Sequence, residues 1–370
     1  MSSNDLPSNI KAVRCNPDGS RPLVEEIPFG TRQEVQNLDP EKIILSTRAI
    51  ALNPTDALHA YSGWAAGHKN VVSTDAMGVA VRVGANVRHI QVGDRVGSMV
   101  LGNTHEDNGA AAEAVVVDAG SAYPLPQGMS DLEGAAFTSA HMTAVQTLFF
   151  KWKLPKPSSP STASAKQTIL IWGGSTGVGH HAVQLAHLSG QRVFVTASPN
   201  NHERMRELGA DQVFDYRDPN VVAAIKEAAG EPGITFAYDT AGYNVKDCID
   251  AIGSQGGRVM STTPPAEELY NRREDVTLEF VIVYTILGYP FKFAGKHDFP
   301  AIPEDRAAAL DWVTKELPPL IDGWVEGVGS SKFKGQSLRL MEGGLDDVYK
   351  GLDVLHKGDY KAEKLVYKLA

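Results

Sequence analysis

The stretch ILIWGGSTGVGHHAVQLA, residues 169–186, decides the fold. It opens with apolar residues in succession, the pattern of a parallel strand covered on both faces. After a turn almost free of side chains, Val178, Ala182, Leu185 and Ala186 share one face of a helix beginning near Val178. Within the turn, Gly177, Val178, Gly179, His180, His181 and Ala182 satisfy G-x-G-x-x-[GA], and Gly173, Gly174, Ser175 and Thr176 extend it upstream. The first glycine allows the tight turn, the second lets backbone approach a pyrophosphate, and the small third residue lets helix pack closely on strand. Free N–H groups and the helix dipole then favour a phosphate at the helix start. Because a strand precedes the motif and an amphipathic helix follows it, a dinucleotide site is predicted rather than a plain connector.

Downstream, the strand-like runs RVFVTAS (192–198), QVFDYR (212–217), ITFAYDTA (234–241) and GRVMSTT (257–263) alternate with helical segments of about ten residues. That rhythm predicts an α/β domain with a doubly wound parallel sheet. Upstream the pattern differs. Short β-rich runs such as IKAVRC (10–15), KIILSTRAIAL (42–52), GVAVRVGANV (78–87) and AEAVVVDA (112–119) are separated by turn signals and predict a compact, mostly antiparallel β domain. A helix is expected from Asp131, its N-cap, and the Pro- and Ser-rich KLPKPSSPSTASAKQ (153–167) reads as a surface loop at a domain boundary. The expected organisation is 1–150, 151–300 and a return of 301–370 to the first domain, ending in the strand KLVYKL (364–369).

The 370 residues are 42% hydrophobic and 21% charged, an ordinary globular composition with room for two cores. With 35 basic against 44 acidic side chains the net charge is −9, scattered and without a basic run, which argues against nucleic acid or an anionic membrane as partner. Cys15 and Cys248 lie far apart in segments read as interior, so reduced, buried thiols are expected and no disulfide framework. MSSNDLPSNI has no leader-like region, and the longest apolar patch, FVIVYTILGYPF (280–291), is too short to span a bilayer, so a cytoplasmic protein is expected.

An acidic residue about 20 positions beyond the glycine turn selects NAD by bonding its 2′-hydroxyl. Here Ser198 stands at that strand end, and Asn201, His202, Arg204, Tyr216 and Arg217 offer donors, which predicts NADPH.

The whole chain resembles the zinc-independent, quinone-oxidoreductase-like branch of the medium-chain dehydrogenase/reductase superfamily. The motifs carrying the resemblance are ALNPTDAL (51–58), STDAMGVAVRVGANVRHIQVGDRV (73–96), GAAFTSAHMTAVQTL (134–148), the glycine turn, LGADQVFDYRD (208–218) and YDTAG (238–242). YTILGYPF (284–291) and the segment 340–369 resemble fungal trans-acting enoyl reductases of polyketide clusters. The resemblance implies a groES-like β domain plus a Rossmann domain, with the active site in a cleft between them. It also implies NADPH contacts at Thr240, Leu287 and Gly288, a substrate or nicotinamide wall at Thr143, His141, Tyr284 and Thr285, and either a monomer or a homodimer.

Zinc-dependent members carry a Gly-His-Glu motif and a four-cysteine lobe. STDAMG (73–78) stands in place of the first, and two scattered cysteines cannot make the second, so no metal is expected. Hydride addition to an activated alkene then needs donors for the enolate oxygen and a proton for the α-carbon. Asn53, His59 and Tyr61, with Trp64 beside the substrate, come from the NPTDALHAYSGW loop (53–64), whereas Leu58 occupies the position where relatives commonly carry Tyr or Lys.

Structural roles compete at each position. Asn53, Pro54 and Asp56 can simply build a turn, Thr143 can bond its own helix backbone, and His141 can be a satisfied core residue. His180 and His181 either flank the phosphate turn or face solvent, and residues 284–288 can be core or dimer interface. The reading that joins these features is NADPH-dependent reduction of the C=C bond of an enone or enoyl thioester, on a small molecule or a carrier-bound chain supplied by a polyketide synthase. Its rivals are a quinone or alkenal reductase, and a catalytically silent or non-redox NADPH-binding protein.

Overall fold

The computed structural model describes residues 6–62, 64, 68–160, 166–294 and 297–369; part of the 153–167 loop and the first five residues fall outside these. The chain forms two compact units, Met1–Ser139 with Tyr284–Ala370, and Ala140–Val283.

In the second unit the strand Thr168–Trp172 is buried at every residue, with Ile169, Leu170 and Ile171 at 0% exposure, each contributing about 2 kcal/mol of burial. It lies inside a six-stranded parallel sheet ordered Gln212–Phe214, Arg192–Thr196, Thr168–Trp172, Ile234–Asp239, Gly257–Ser261, Val276–Phe280. In chain order that is 3-2-1-4-5-6, the doubly wound arrangement. The order reverses between Thr168–Trp172 and Ile234–Asp239, so their carboxyl ends open the crevice where such sheets take ligands. One sheet face is covered by Ile225, Val245, Cys248 and Ile249, which pack on Leu170, Phe194 and Val259.

The first unit is built on a seven-stranded sheet. Leu338–Met341, Lys364–Lys368, Lys42–Ala51, Asp75–Val83, Arg95–Met99 and Tyr123–Pro124 follow one another, and Ala114–Asp118 pairs with Lys42–Ala51. All pairs are antiparallel except Leu338–Met341 with Lys364–Lys368. The returning tail therefore supplies a strand directly beside Lys42–Ala51, with Val366 opposite Ala51. Its core joins Ile43, Leu45, Ile50, Val96, Val115, Leu352 and Tyr367.

Two local expectations are corrected. NPTDALHAY is not a loop: Pro54–Tyr61 is a helix, begun by Pro54, whose fixed φ and missing N–H suit the first turn. The helix Asp131–Val145 is capped one residue earlier than expected, because Ser130 N and Oγ donate to Glu133 Oε2 at 2.9 and 2.8 Å. Asp131 instead accepts from Arg95 at 2.6 Å.

Candidate active site

The turn after Trp172 is tightly specified. Gly173 takes φ +87°, and Gly174 packs so closely that a Cβ there would lie 2.2 Å from Val195 Cγ1. Thr176 caps the helix Gly177–Leu188, its Oγ1 accepting from Gly179 N at 3.0 Å and donating to Thr240 Oγ1 at 3.0 Å. Thr240 Oγ1 also lies 2.8 Å from Trp172 O, so the two strand ends at the switch point are tied together. A Cβ on Gly179 would lie 2.3 Å from Gly173 O and 2.8 Å from Gly174 Cα. Ser175, Thr176, Gly177 and Val178 are half-buried, and first-turn N–H groups such as those of Gly177 and Val178 have no carbonyl to reach within the helix. This cradle fits a pyrophosphate.

Beyond the next two strands, Phe214 is registered with Thr196, which brings Ser198 and Tyr216 to one edge. Asn201 Nδ2 donates to Ser198 Oγ at 3.0 Å, and the ring Nε2 of His202 is 3.1 Å from Ala197 O. The exposed Arg217 is held by Asp215 through two bonds of 3.0 and 2.9 Å, and Tyr216 is exposed beside it.

His180 and His181 are both buried, which excludes the solvent-facing alternative, and the ring of His181 contacts those of His180 and His141. Burial pushes the His141 imidazole down to about 3, so it is neutral at physiological pH. The carbonyl of Thr143 accepts from Tyr238 Oη at 3.4 Å.

In the first unit the strand Lys42–Ala51 runs into Asn53, which is half-buried, and a polar cluster surrounds it. Asn53 N donates to Asp56 Oδ2 at 2.7 Å and Asn53 Nδ2 donates to Asp75 Oδ2 at 2.9 Å. Lys364 Nζ donates to Asn53 Oδ1 and, at 2.9 Å, to Asp75 Oδ2. Asp75 Oδ1 accepts from Thr138 Oγ1 and from Ser139 N at 2.9 Å. Asp56 accepts from Asn103 Nδ2 at 2.7 Å, and its carboxyl is pushed up to about 7, chiefly by complete burial.

His59 lies one turn into the helix, buried, with Nδ1 2.8 Å from Thr55 O and ring edges against Trp64 and Phe293. The carbonyl fixes the proton on Nδ1, so Nε2 carries a lone pair, and it meets no partner among the described residues. Burial lowers the imidazole pKa, leaving His59 neutral.

Tyr61 points elsewhere. Its Oη donates to Asp353 Oδ1 at 2.8 Å and its ring packs on His356, while burial first and then that bond push the phenol pKa up. The single hydroxyl proton of Tyr61 is thus committed to Asp353 on the helix Val348–Lys357. Tyr61→Phe is expected to leave the catalysed rate within about threefold while costing about 1 kcal/mol of stability. Steady-state rates with a denaturation midpoint check it, and a hundredfold slower variant would restore Tyr61 to the chemistry.

Tyr284, Thr285, Leu287 and Gly288 belong to the first unit, in and just after a short 3-10 helix. Tyr284 Oη is 3.0 Å from Thr74 Oγ1, and Thr285 donates to Asp305 at 2.5 Å. Leu287 is buried, and Gly288 takes φ +76° against the Arg306 side chain.

The sequence reading missed Asp75, Lys364 and Asn103. Asp75 was visible only as part of the segment standing where Gly-His-Glu is missing, and nothing in KLVYKL marks its first lysine as buried.

Two family models match the chain: the alcohol dehydrogenase GroES-like domain over residues 39–127 and the zinc-binding dehydrogenase over 177–302. The trans-enoyl reductase mpsG of Macrophomina phaseolina (strain MS6) is 32% identical, covering 98% of this chain and 99% of its own. The enoyl reductase component of lovastatin nonaketide synthase, lovC, of Aspergillus terreus is 30% identical over 90% of each chain. The crystal structure of CurK enoyl reductase superposes with a TM-score of 0.72 at 16% identity, covering 98% of this chain and 100% of that one.

The zinc in the second model's name does not suit these residues. Asp75, in the segment replacing Gly-His-Glu, is saturated by Lys364, Asn53, Thr138 and Ser139. Cys15 is buried with its thiol pushed up to about 12, Cys248 lies in the other unit, and no group of three or more His, Cys, Asp or Glu among the described residues is arranged to hold a metal. Among the described residues no helix is long and apolar enough to cross a membrane. The 32% identity to mpsG over 98% of the chain, the two matched domains and the doubly wound sheet agree: the chain belongs to the trans-enoyl reductases, oxidoreductases of the medium-chain dehydrogenase/reductase superfamily, whose members bind nicotinamide cofactors.

Proposed function

We propose that the protein reduces the C=C bond of an α,β-unsaturated thioester or related carbonyl, using NADPH, on a polyketide chain presented by a synthase. The observation that carries this reading is the match to trans-enoyl reductases over 98% of the chain. When bound, the reduced cofactor supplies a hydride for the β-carbon. Gly177, Val178 and Gly179 would hold its pyrophosphate and Thr240 would border it. Ser198, where NAD enzymes place an acid, leaves room for a 2′-phosphate, with Asn201, Tyr216 and Arg217 as its neighbours.

On the substrate side, Asn53 Nδ2 donates to the carbonyl oxygen as it becomes an enolate. His59, neutral and protonated at Nδ1, accepts at Nε2 and cannot deliver a proton from that atom. His141 is neutral too, the Tyr61 proton is bound to Asp353, and position 58 is leucine. We assign the protonation of the α-carbon to solvent water. Thr143, Trp64, Tyr284 and Thr285 remain the proposed walls of the substrate and nicotinamide positions.

The test follows absorbance of the reduced cofactor with an enoyl thioester, a free enone and a quinone, each with NADPH and NADH. Turnover of the thioester, with at least tenfold higher kcat/KM for NADPH, is expected. Reduction of quinone alone would favour a free small-molecule reductase, and preference for NADH would overturn the cofactor assignment.

A further inference from the structure

The cluster around Asn53 contains a cation that the reaction scheme does not use. Lys364 is 6% exposed and Asp75 0%, so an ammonium and a carboxylate have both been taken out of water. Burial of that kind is tolerated only when the remaining donors and acceptors are satisfied. Here the ammonium donates directly to the carboxylate, Thr138 and Ser139 donate to its other oxygen, and one neutral group, the Asn53 carboxamide, bonds both charges. Strand register makes the meeting unavoidable: Ala51 is paired with Val366 on one side and Asp75 on the other, and Leu52 N donates to Leu365 O.

A carboxamide can be turned end for end with little change in shape, and its function as a donor depends on which end faces outward. At Asn53 the choice is forced. Oδ1 receives the Lys364 ammonium and one Nδ2 hydrogen goes to Asp75. The flipped amide would set its NH₂ against the ammonium and its oxygen against the carboxylate, both repulsive in a buried site. Asn53 itself is only half-buried, and its carboxamide has a second Nδ2 hydrogen besides the one given to Asp75.

We propose that Lys364 is a positioning residue which, together with Asp75, locks the Asn53 carboxamide with one N–H directed to the substrate carbonyl oxygen. The inference rests on the enoyl reductase reading. It assigns a role to the last strand of the chain and gives the protein a fixed neutral donor for the substrate oxygen.

The test measures kcat, KM and cofactor affinity of the full-length protein with an enoyl thioester, for wild type, Asn53→Ala, Lys364→Met and the double variant. Lys364→Met is expected to lower kcat about 10- to 100-fold, less than the roughly 100- to 1000-fold of removing an oxyanion donor outright because the carboxamide is misaligned rather than lost, with cofactor affinity unchanged. In the Asn53→Ala background the same change is expected to alter kcat less than twofold, because Lys364 acts only through Asn53. Retention of kcat within twofold in Lys364→Met, or effects that multiply in the double variant, would overturn the proposal. If Lys364→Met fails to fold because Asp75 is left unpaired, Lys364→Met with Asp75→Asn removes both charges and carries the same expectation. A wild type inactive on every enoyl thioester would sink the enoyl reductase reading and this inference with it, whereas an active wild type indifferent to Lys364 sinks this inference alone.

Discussion

Gly179→Ala is expected to abolish measurable binding of the nicotinamide cofactor, weakening the dissociation constant by at least about 100-fold, or ~3 kcal/mol. The added methyl would sit 2.3 Å from Gly173 O and 2.8 Å from Gly174 Cα. Both neighbours are backbone atoms of the turn, so no rotamer change can relieve the overlap. The turn itself cannot open cheaply, because Thr176 is bonded to Gly179 N and to Thr240, and Gly174 is wedged against Val195. The methyl must therefore push the helix start away from the strand, which displaces the first-turn N–H groups from the place a phosphate would occupy. Titration by protein fluorescence reads the effect, and a denaturation midpoint separates it from global unfolding. A variant that binds NADPH within threefold of wild type would show that this turn is not the phosphate cradle.

The glycine turn was readable in advance because everything that builds it is local. Strand, turn and helix are contiguous, and the apolar run, the glycines and the capping threonine all fall within 20 residues. The parallel sheet was readable for a related reason: each strand and helix announces its own periodicity, and the right-handed crossover rule leaves few ways to assemble them. Apart from the Asn53–Asp56 capping pair, the Asn53 cluster obeys no local rule. Lys364 reaches Asn53 across 311 positions, and Tyr61 finds Asp353 across 292. Those partners are selected by strand register and by packing of the helix Val348–Lys357 on Pro54–Tyr61, neither of which leaves a periodic trace. Tyr61 and Asn53 look equally available in the sequence, yet the phenol turns to a carboxylate on another helix while the carboxamide stays at the strand end. The helix Pro54–Tyr61 is a different kind of miss. Its proline at the first position and the aspartate two residues later are ordinary helix-start signals, but Asn, Pro and Asp at this spacing build an Asx/Pro turn equally well.

The buried carboxyl of Asp56 leads to the second large effect, a pH dependence of stability whose sign runs opposite to that of most aspartates. Complete burial raises its pKa from 3.8 to about 7, against the opposing pull of hydrogen bonds from Asn53 N and Asn103 Nδ2. Between those two values the folded protein holds a proton that the unfolded chain has released, so stability must fall as the pH rises. The contribution is complete below the unfolded value and is lost as pH passes the folded one. Linkage across a gap of this size predicts a loss of about 2 to 3 kcal/mol between about pH 5 and about pH 8. His59 and His141, whose pKa values are lowered by burial, act the other way, but only below their unfolded value of 6.5. Comparing wild type with Asp56→Asn cancels the histidine contribution. Asp75 and Lys364 are the charged neighbours; the first disfavours ionisation of Asp56 and the second favours it. The difference in unfolding free energy between the two proteins, from denaturant titrations at several pH values, should therefore shrink in favour of the variant as the pH rises through 7. Parallel pH profiles for the two proteins would mean that Asp56 is ionised throughout, and the cluster would then hold two carboxylates against the single ammonium of Lys364.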